Sequence, residues 1–189
     1  MNQKSISVVV VYHSGYGHTK KIADAVTAGV HSVPGAQAVS IDVSALKVED
    51  WEAMSRAQAI VFGAPTYMGG PSAPFKAFAD ASAKVWFTQG WKDKVAGGFT
   101  CSQNMSGDKL STLNYFSVLA MQHGMIWVGT GLPPPAKPGD PLALNRLGSS
   151  VGVMAQADNL PPEQSPPQGD VDTGFSYGAR IAKFAQKLA

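Results

Sequence analysis

Apolar and polar positions along this chain follow two alternating rhythms. Ser5 to Tyr12 (SISVVVVY) is an unbroken apolar, β-branched run, the pattern of a strand covered on both faces. His13 to Thr19 interrupts it with two glycines. Ile22, Val26, Gly29/Val30 and Val33 then recur at three- and four-residue spacing, which predicts a helix stopped by Pro34-Gly35. Ala38 to Val43 alternates as a second strand, and Glu49 to Arg56 is a short helix with Trp51 and Met54 as its apolar contacts. Ala57 to Gly63 is a third strand, Ala64 to Pro71 a loop, and Ala73 to Val85 a helix rich in Ala and Phe. Lys94 to Cys101 follows as a fourth strand whose Gly97-Gly98 invites close packing by a helix. Leu110 to Gly124 is helical, with Leu113, Phe116 and Ala120 on one side, and Met125 to Gly129 is a fifth strand. Asp170 to Leu188 closes the chain as a helix with Tyr177, Ile181, Phe184 and Leu188 on one stripe.

Five strands alternating with helices predict an α/β fold: a parallel sheet with helices on both faces. Two stretches stand outside the rhythm. Leu132 to Pro141 and Leu160 to Gly169 are proline-dense, which bars them from helix or strand interiors. They flank Val151 to Ala155, a short strand or an extended loop. Loops of this length in a compact domain tend to be functional or disordered. The chain shows no internal repeat and no composition shift that marks a boundary, so residues 1–189 read as a single domain.

Composition narrows the function classes. Only 15% of residues are charged, against about 25% in an ordinary soluble domain. The net charge is +2 and no basic run occurs, whereas a nucleic-acid binder concentrates its basic residues in a stripe. One cysteine cannot form an internal disulfide. No apolar run approaches the ~18–20 residues of a membrane span. Met1 to Tyr12 lacks the small-residue cleavage pattern of a signal peptide. Together these features lead us to expect a cytoplasmic protein with a small-molecule substrate, with neither nucleic acid nor a membrane as partner.

In an open parallel α/β sheet, ligands bind in the crevice beyond the carboxyl ends of the strands. Residues 13–19, 64–71 and 101–108 occupy those ends, and each stretch is rich in glycine and small polar residues. Ser14-Gly15-Tyr16-Gly17-His18-Thr19 lies between a buried strand and a helix start, where successive N–H groups and the helix dipole can surround a phosphate. Ser14 and Thr19 add hydroxyl donors, and the loop contains no Lys or Arg. A Walker loop would need Gly-Lys-Ser/Thr where this chain has His18-Thr19-Lys20, and the dinucleotide fingerprint would need a small residue at Lys20. A mononucleotide phosphate fits better than either. Pro65-Thr66-Tyr67-Met68-Gly69-Gly70 offers backbone amides beside an aromatic ring, the combination a flat heteroaromatic ligand needs. His13, His18 and His31 show no metal-ligand spacing, so no metal is expected.

The strand–SGYGHT–helix unit, VFGAPTYMGGPSAPFKAF, KVAGGFTCSQNMSG and MQHGM, in this order, resemble the flavodoxin-like NAD(P)H:quinone oxidoreductases of the tryptophan-repressor-binding-protein type. The resemblance implies a flavodoxin-like three-layer sandwich with five strands in the order 2-1-3-4-5, non-covalent FMN, and a homo-oligomer, either a dimer or a tetramer. It implies two-electron reduction of quinones by NADH or NADPH, through ping-pong hydride transfer at flavin N5. Carried over by position, Ser14 to Thr19 would bind the FMN phosphate and Pro65, Thr66, Tyr67, Met68, Gly69 and Gly70 would line the isoalloxazine. Ser102, Gln103, Asn104 and Gly107 would hold its other edge, with His123 reaching the flavin region. Tyr16 would touch the nicotinamide nucleotide, and Trp86 would wall the substrate space from its own or a neighbouring subunit.

The third loop, Ser-Gln-Asn-Met-Ser-Gly, departs from the glycine-rich form common in that family, and its bulkier Gln103 and Met105 narrow the space beside it. Residues 44–56 are also shorter than in many relatives. No acid–base pair stands out, as befits chemistry that the flavin performs and the protein positions. Two other functions share the fold: a one-electron carrier of the flavodoxin kind, and a flavin-binding regulatory protein without turnover.

Overall fold

A computed structural model describes residues 5–189; the first four residues, part of the start read above as lacking a signal peptide, lie outside the described residues. The valines of β1 (Ile6–Tyr12) sort by parity, as side chains on a strand must. Val8 and Val10 face one core with Ile22, Val26, Tyr177 and Ile181, while Val9 and Val11 face another with Met54, Phe75, Phe78, Leu113 and Phe116. Every valine of this run is fully buried. That two-sided burial explains why the sequence there is continuous rather than alternating.

The first core is roofed by α1 (His18–His31) and α6 (Gln168–Leu188). The second is roofed by α2 (Val48–Arg56), α3 (Ala73–Ala81) and α5 (Lys109–Gln122). Between them runs a sheet in which β1 pairs in parallel with both β2 (Ala36–Asp42) and β3 (Ala59–Tyr67), and β3 pairs in parallel with β5 (Val95–Ser102). The spatial order is β2-β1-β3-β5-β6, with β6 (Ile126–Trp127) at the edge and the small hairpin strand β4 (Gly70–Pro71) off the path; the alternation predicts the parallel sheet with helices on both faces, and the resemblance implies the flavodoxin-like order.

Three local corrections follow from the structure. The third strand does not end at Gly63 but continues to Tyr67, so Pro65, Thr66 and Tyr67 are strand rather than loop. Met68 and Gly69, with φ of 49° and 80°, make a two-residue turn that returns the chain as β4. Positive φ at both central residues is the geometry of the favoured hairpin turn. The helix expected over 73–85 breaks at Ser82 into α3 and the short α4 (Ala83–Phe87), and Ser82 Oγ donates to the Ala79 carbonyl at the joint.

The fifth strand position is shared. β6 (Ile126–Trp127) pairs only with Val95 and Ala96, and β7 (Val153–Gln156) takes over beside Phe99 to Ser102. Residues 128–152 loop out between the two halves. The excursion is anchored by Arg146, whose Nε and Nη2 donate to the two carboxylate oxygens of buried Asp170 at 2.8 and 3.1 Å. Arg146 Nη2 also donates to Gln156 Oε1, and the Gln156 N–H donates to Asp170, so one ion pair ties the excursion, β7 and the start of α6 together. This fixes the path of the segment that leaves β7 at residue 157.

Candidate functional site

The carboxyl ends of β1, β3, β5 and β7 surround a cavity of about 540 Å³. That volume lies within the ~300–1,000 Å³ typical of small-molecule sites. Gly15, Tyr16, His18 and Thr19 line it from the first loop, Pro65 and Tyr67 from the second, and Ser102 and Gln103 from the third. The three loops singled out in the sequence therefore meet. Residues 157–162 form a fourth wall.

The first loop is held from within. Ser14 Oγ accepts hydrogen bonds from the N–H groups of Gly17 and Lys20, each at 3.1 Å. Those two acceptor contacts leave the hydroxyl proton of Ser14 available to a ligand. Gly17 occupies the N-cap of α1 with φ of 90°, a conformation that L side chains rarely adopt. The first turn of α1 carries no acidic residue, so the partial positive charge of its N-terminus is not neutralised there. A Cβ on Gly15 would lie 2.6 Å from the Tyr67 hydroxyl, so that glycine lets the second loop close against the first.

The second and third loops rest on buried polar chains. Thr66 does not face the cavity. Its hydroxyl lies 2.7 Å from Thr100 Oγ1 and 2.8 Å from Thr112 Oγ1, and Thr100 in turn donates to the Ala64 carbonyl. The Met68–Gly69 turn is pinned by Ser111, which donates to the Gly69 carbonyl at 2.6 Å. Asn104 and Gly107 belong to the third loop, where the Asn104 carbonyl accepts from Lys109 Nζ and Gly107 has φ of 51°. Ser14, Gly17, Thr66, Met68, Gly69, Gly70, Asn104 and Gly107 thus shape the loops around the cavity and are not among the residues that line it.

Charge is sparse. Among the described residues no Lys or Arg side chain lines the cavity, and Asp158 is the acidic one that does. Tyr67 is held neutral, burial raising its phenol above the usual range. Burial also pushes the Cys101 thiol up to about 12, so this cavity-lining cysteine is an unreactive thiol at neutral pH. Oxyanion binding here rests on N–H groups and hydroxyls.

Two of the candidates lie elsewhere. α5 runs back from the carboxyl end of β5 to the start of β6, so His123, at its C-terminus, sits at the opposite edge of the sheet. It is 2% exposed, its Nε2 is 2.9 Å from Ser82 Oγ, and its ring centroid is 4.4 Å from that of Trp91. His123 packs the helix end and does not reach the cavity of its own chain. Trp86 lies in α4 on the approach to β5, again at that far edge, with its ring against Phe87. It too is absent from the cavity wall of its own chain.

The sequence reading missed the fourth wall. His18 Nε2 donates to the Leu160 carbonyl at 2.8 Å, Lys21 Nζ donates to the Pro166 carbonyl at 3.1 Å, and Pro162 packs on Gly17. The proline density of residues 160–169 marked them as irregular, and nothing local in the sequence said that they fold back on α1.

Among the described residues no helix is long and apolar enough to cross a membrane, and no group of three or more His, Cys, Asp or Glu is placed to hold a metal ion.

Comparison with known proteins agrees with this geometry. Residues 8–133 match the NADPH-dependent FMN reductase family. A flavodoxin, FldP, from Pseudomonas aeruginosa is 44% identical over 184 residues, covering 95% of this chain and 97% of that protein. An NAD(P)H dehydrogenase (quinone) from Geobacter sulfurreducens is 30% identical over 204 residues, covering 97% and 99% of the two chains. The crystal structure of a flavodoxin, WrbA-like protein from Agrobacterium tumefaciens superposes with a TM-score of 0.78 at 45% identity, over 98% of this chain and 100% of that one. With its three-loop cavity, its glycine-shaped first loop and these relatives, the chain belongs to the NADPH-dependent FMN reductase family and is a flavodoxin-like, FMN-dependent oxidoreductase.

Proposed function

We propose that this protein passes two electrons from NADH or NADPH to a small quinone through FMN held in the cavity at the carboxyl ends of β1, β3 and β5. The observation that carries the reading is the first loop: an exposed strand-to-helix turn with glycines at 15 and 17, a serine hydroxyl free to donate, and an unneutralised helix N-terminus. These groups fit a phosphate ester, and the adjoining cavity has room for a flat ring system. FMN, when bound, supplies the hydride acceptance and donation that the side chains lack.

The chain's own part is positioning. The N–H groups of residues 15, 16, 18 and 19, with the Ser14 and Thr19 hydroxyls, hold the phosphate, while the Gly17 N–H is spent on Ser14 Oγ. The hairpin 65–70, braced by Ser111 and the Thr66–Thr100–Thr112 hydroxyl chain, presents backbone groups to one edge of the ring. Residues 102–107 present theirs to the other edge. Tyr16, 77% exposed at the mouth, offers a ring face to the nicotinamide. Reductant and quinone would share that one open face in turn, which gives ping-pong kinetics. Trp86, exposed at the far edge, is assigned to the site of a neighbouring copy in a dimer or tetramer. We place the protein in the cytoplasm, where its buried Cys101 thiol stays reduced.

The test is a visible spectrum after FMN is added and the excess removed. Flavin bands that NADPH bleaches and a benzoquinone restores support the reading. Failure to retain FMN, or retained FMN that neither NADH nor NADPH bleaches, overturns it. The 44% identity to a protein named flavodoxin favours a second reading, one-electron carriage. Accumulation of one-electron-reduced flavin during stepwise chemical reduction, with no nicotinamide oxidation, would select it.

A further inference from the structure

Arg146 does more than anchor the excursion before β7. A guanidinium carries five N–H donors. Nε and Nη2 spend three of them on the two Asp170 oxygens and on Gln156, at 2.8, 3.1 and 3.0 Å. The paired contact with one carboxylate fixes the plane of the group. The two donors on Nη1 have no partner among the described residues, although Arg146 is only 7% exposed. Among those residues the side-chain nitrogens sealed without a partner belong to Trp91 and His123, so Nη1 keeps an opening.

That opening leads into a second cavity, of about 1000 Å³, whose wall includes Arg146. It shares no lining residue with the first. The third loop is the partition between them: Ser102 and Gln103 line the first cavity, Met105 and Ser106 the second. Met105, Leu110, Leu147 and Met154 give the second cavity an apolar lining, and Ser106 and Asn114 add a hydroxyl and an amide.

Buried charge on this side is unbalanced. Lys109, fully buried at the start of α5, donates to the carbonyls of Asn104, Met105 and Ser106 rather than to a carboxylate. Burial brings its ammonium down to about 8, so it stays largely cationic at neutral pH. Two buried cations, Lys109 and Arg146, therefore stand against one buried carboxylate, Asp170. Asp108 also lines the cavity, but it is exposed, where solvent ions screen its charge. A ligand bringing one negative charge removes the excess.

We propose that this cavity is a second ligand site, for a small monocarboxylate with an apolar body: the carboxylate accepts from Arg146 Nη1, and the body lies on Met105, Leu110, Leu147 and Met154. The site stands apart from the cavity assigned to FMN and does not depend on that assignment.

The test titrates naphthoate into the FMN-saturated protein and reads the methionine methyl resonances. Met105 on the third loop and Met154 on β7 should shift together along one saturation curve. Met121 at the far end of α5 and Met68 at the hairpin tip should stay still. Naphthamide, which has the same shape without the charge, should bind about tenfold more weakly, as expected when a charged acceptor is replaced by a neutral one. Leu110→Glu places a carboxylate on an exposed part of the cavity wall, at a helix start where acidic residues are favourable, so the fold should be kept. It should bind naphthoate about tenfold more weakly than Leu110→Gln, which loses the leucine without adding charge. Arg146→Lys, which keeps a cation opposite Asp170 but has no Nη1, should show the same loss. Should that variant not fold, the Leu110 pair decides.

Equal affinity for naphthoate and naphthamide overturns the proposal. So does the absence of any shift at millimolar naphthoate, or equal naphthoate binding by Leu110→Glu and Leu110→Gln. Release of FMN together with a shift at Met68 would put the probe in the first cavity and overturns it as well. Protein that retains no FMN would sink the cofactor reading alone, because naphthoate is then titrated into the unliganded chain and the same two methyls decide.

Discussion

The hydroxyl of Tyr177 stands between β5 and the broken fifth strand: it accepts from the Gly98 N–H at 3.1 Å and donates to the Val128 carbonyl. Those two groups sit just past the end of the β5–β6 ladder, where β6 has turned away and β7 has not yet begun. Gly97 leaves the room, because a Cβ there would meet the Tyr177 hydroxyl at 2.3 Å. Tyr177→Phe keeps the ring and strands both backbone groups in the core. At about 1–3 kcal/mol for a buried polar group left unpaired, the expected loss is about 2 kcal/mol. Urea unfolding checks it, and an unchanged midpoint would mean that the ladder closes without the tyrosine.

Ser14 serves two ends of one loop. Its Oγ organises the N–H groups of Gly17 and Lys20 from inside, and its proton is left for the phosphate. Thr19, almost fully buried in the first turn of α1, lines the cavity itself. The double change Ser14→Ala with Thr19→Ala should weaken FMN binding by at least about tenfold, since each removed contact to a charged group is worth about 1.5–3 kcal/mol. The fold should survive, as judged by circular dichroism. FMN affinity equal to wild type would remove the phosphate from this loop.

Gly17→Ala tests the joint between the first loop and the proline-rich wall. The backbone there has φ of 90°, and a new Cβ would lie 2.9 Å from Pro162 Cγ. Left-handed backbone costs a non-glycine residue about 1–2 kcal/mol, and Pro162 has to shift as well. The expected outcome is a lower melting temperature together with faster FMN release, because the same displacement loosens residues 157–162 over the cavity. A variant that melts earlier but releases FMN at the wild-type rate would show that this wall does not retain the cofactor.

Periodicity carried most of this architecture because buried parallel strands and amphipathic helices are local patterns. Val8 to Val11 announced a central strand, and Ile22, Val26 and Val30 did so for α1. The three loops of the cavity were legible for the same reason: topology places them at the strand ends whatever else the chain does. What escaped was set by contacts distant in sequence. The division of the fifth strand depends on Arg146 meeting Asp170 and on Tyr177 filling the gap, 24 and 79 residues from their respective partners. The fourth wall depends on His18 and Leu160, 142 residues apart. Pro65 read as a loop residue, yet it lies in β3 opposite Cys101. Nothing in the sequence set Lys109 apart: it lies one residue before the helix read as beginning at Leu110, and its burial follows only from the turn of the loop above it.

His123 shows how a motif match and a buried environment can point in different directions. Ser82 spends its only hydroxyl proton on the Ala79 carbonyl, so His123 Nε2 is the donor in their 2.9 Å contact, and the neutral ring keeps its lone pair on Nδ1. That Nδ1 is buried and has no hydrogen-bond partner among the described residues. Protonation would create a buried, unpaired N–H and an uncompensated charge, and burial accordingly lowers the imidazole below its usual range. The sign follows from linkage. Below the ordinary histidine value near 6.5 the unfolded chain takes up a proton that the folded chain resists, so stability falls as the pH drops through that region toward the folded value. One such group contributes a slope of up to about 1.4 kcal/mol per pH unit. His123→Gln, which can still donate to Ser82, should flatten the slope between pH 7 and about pH 5, read from urea unfolding at each pH. It should leave FMN affinity of the single chain unchanged, since the far edge of the sheet cannot touch the cavity. Weakened FMN binding in that variant, with stability intact, would place His123 at a flavin after all, and the flavin would have to belong to another copy of the chain.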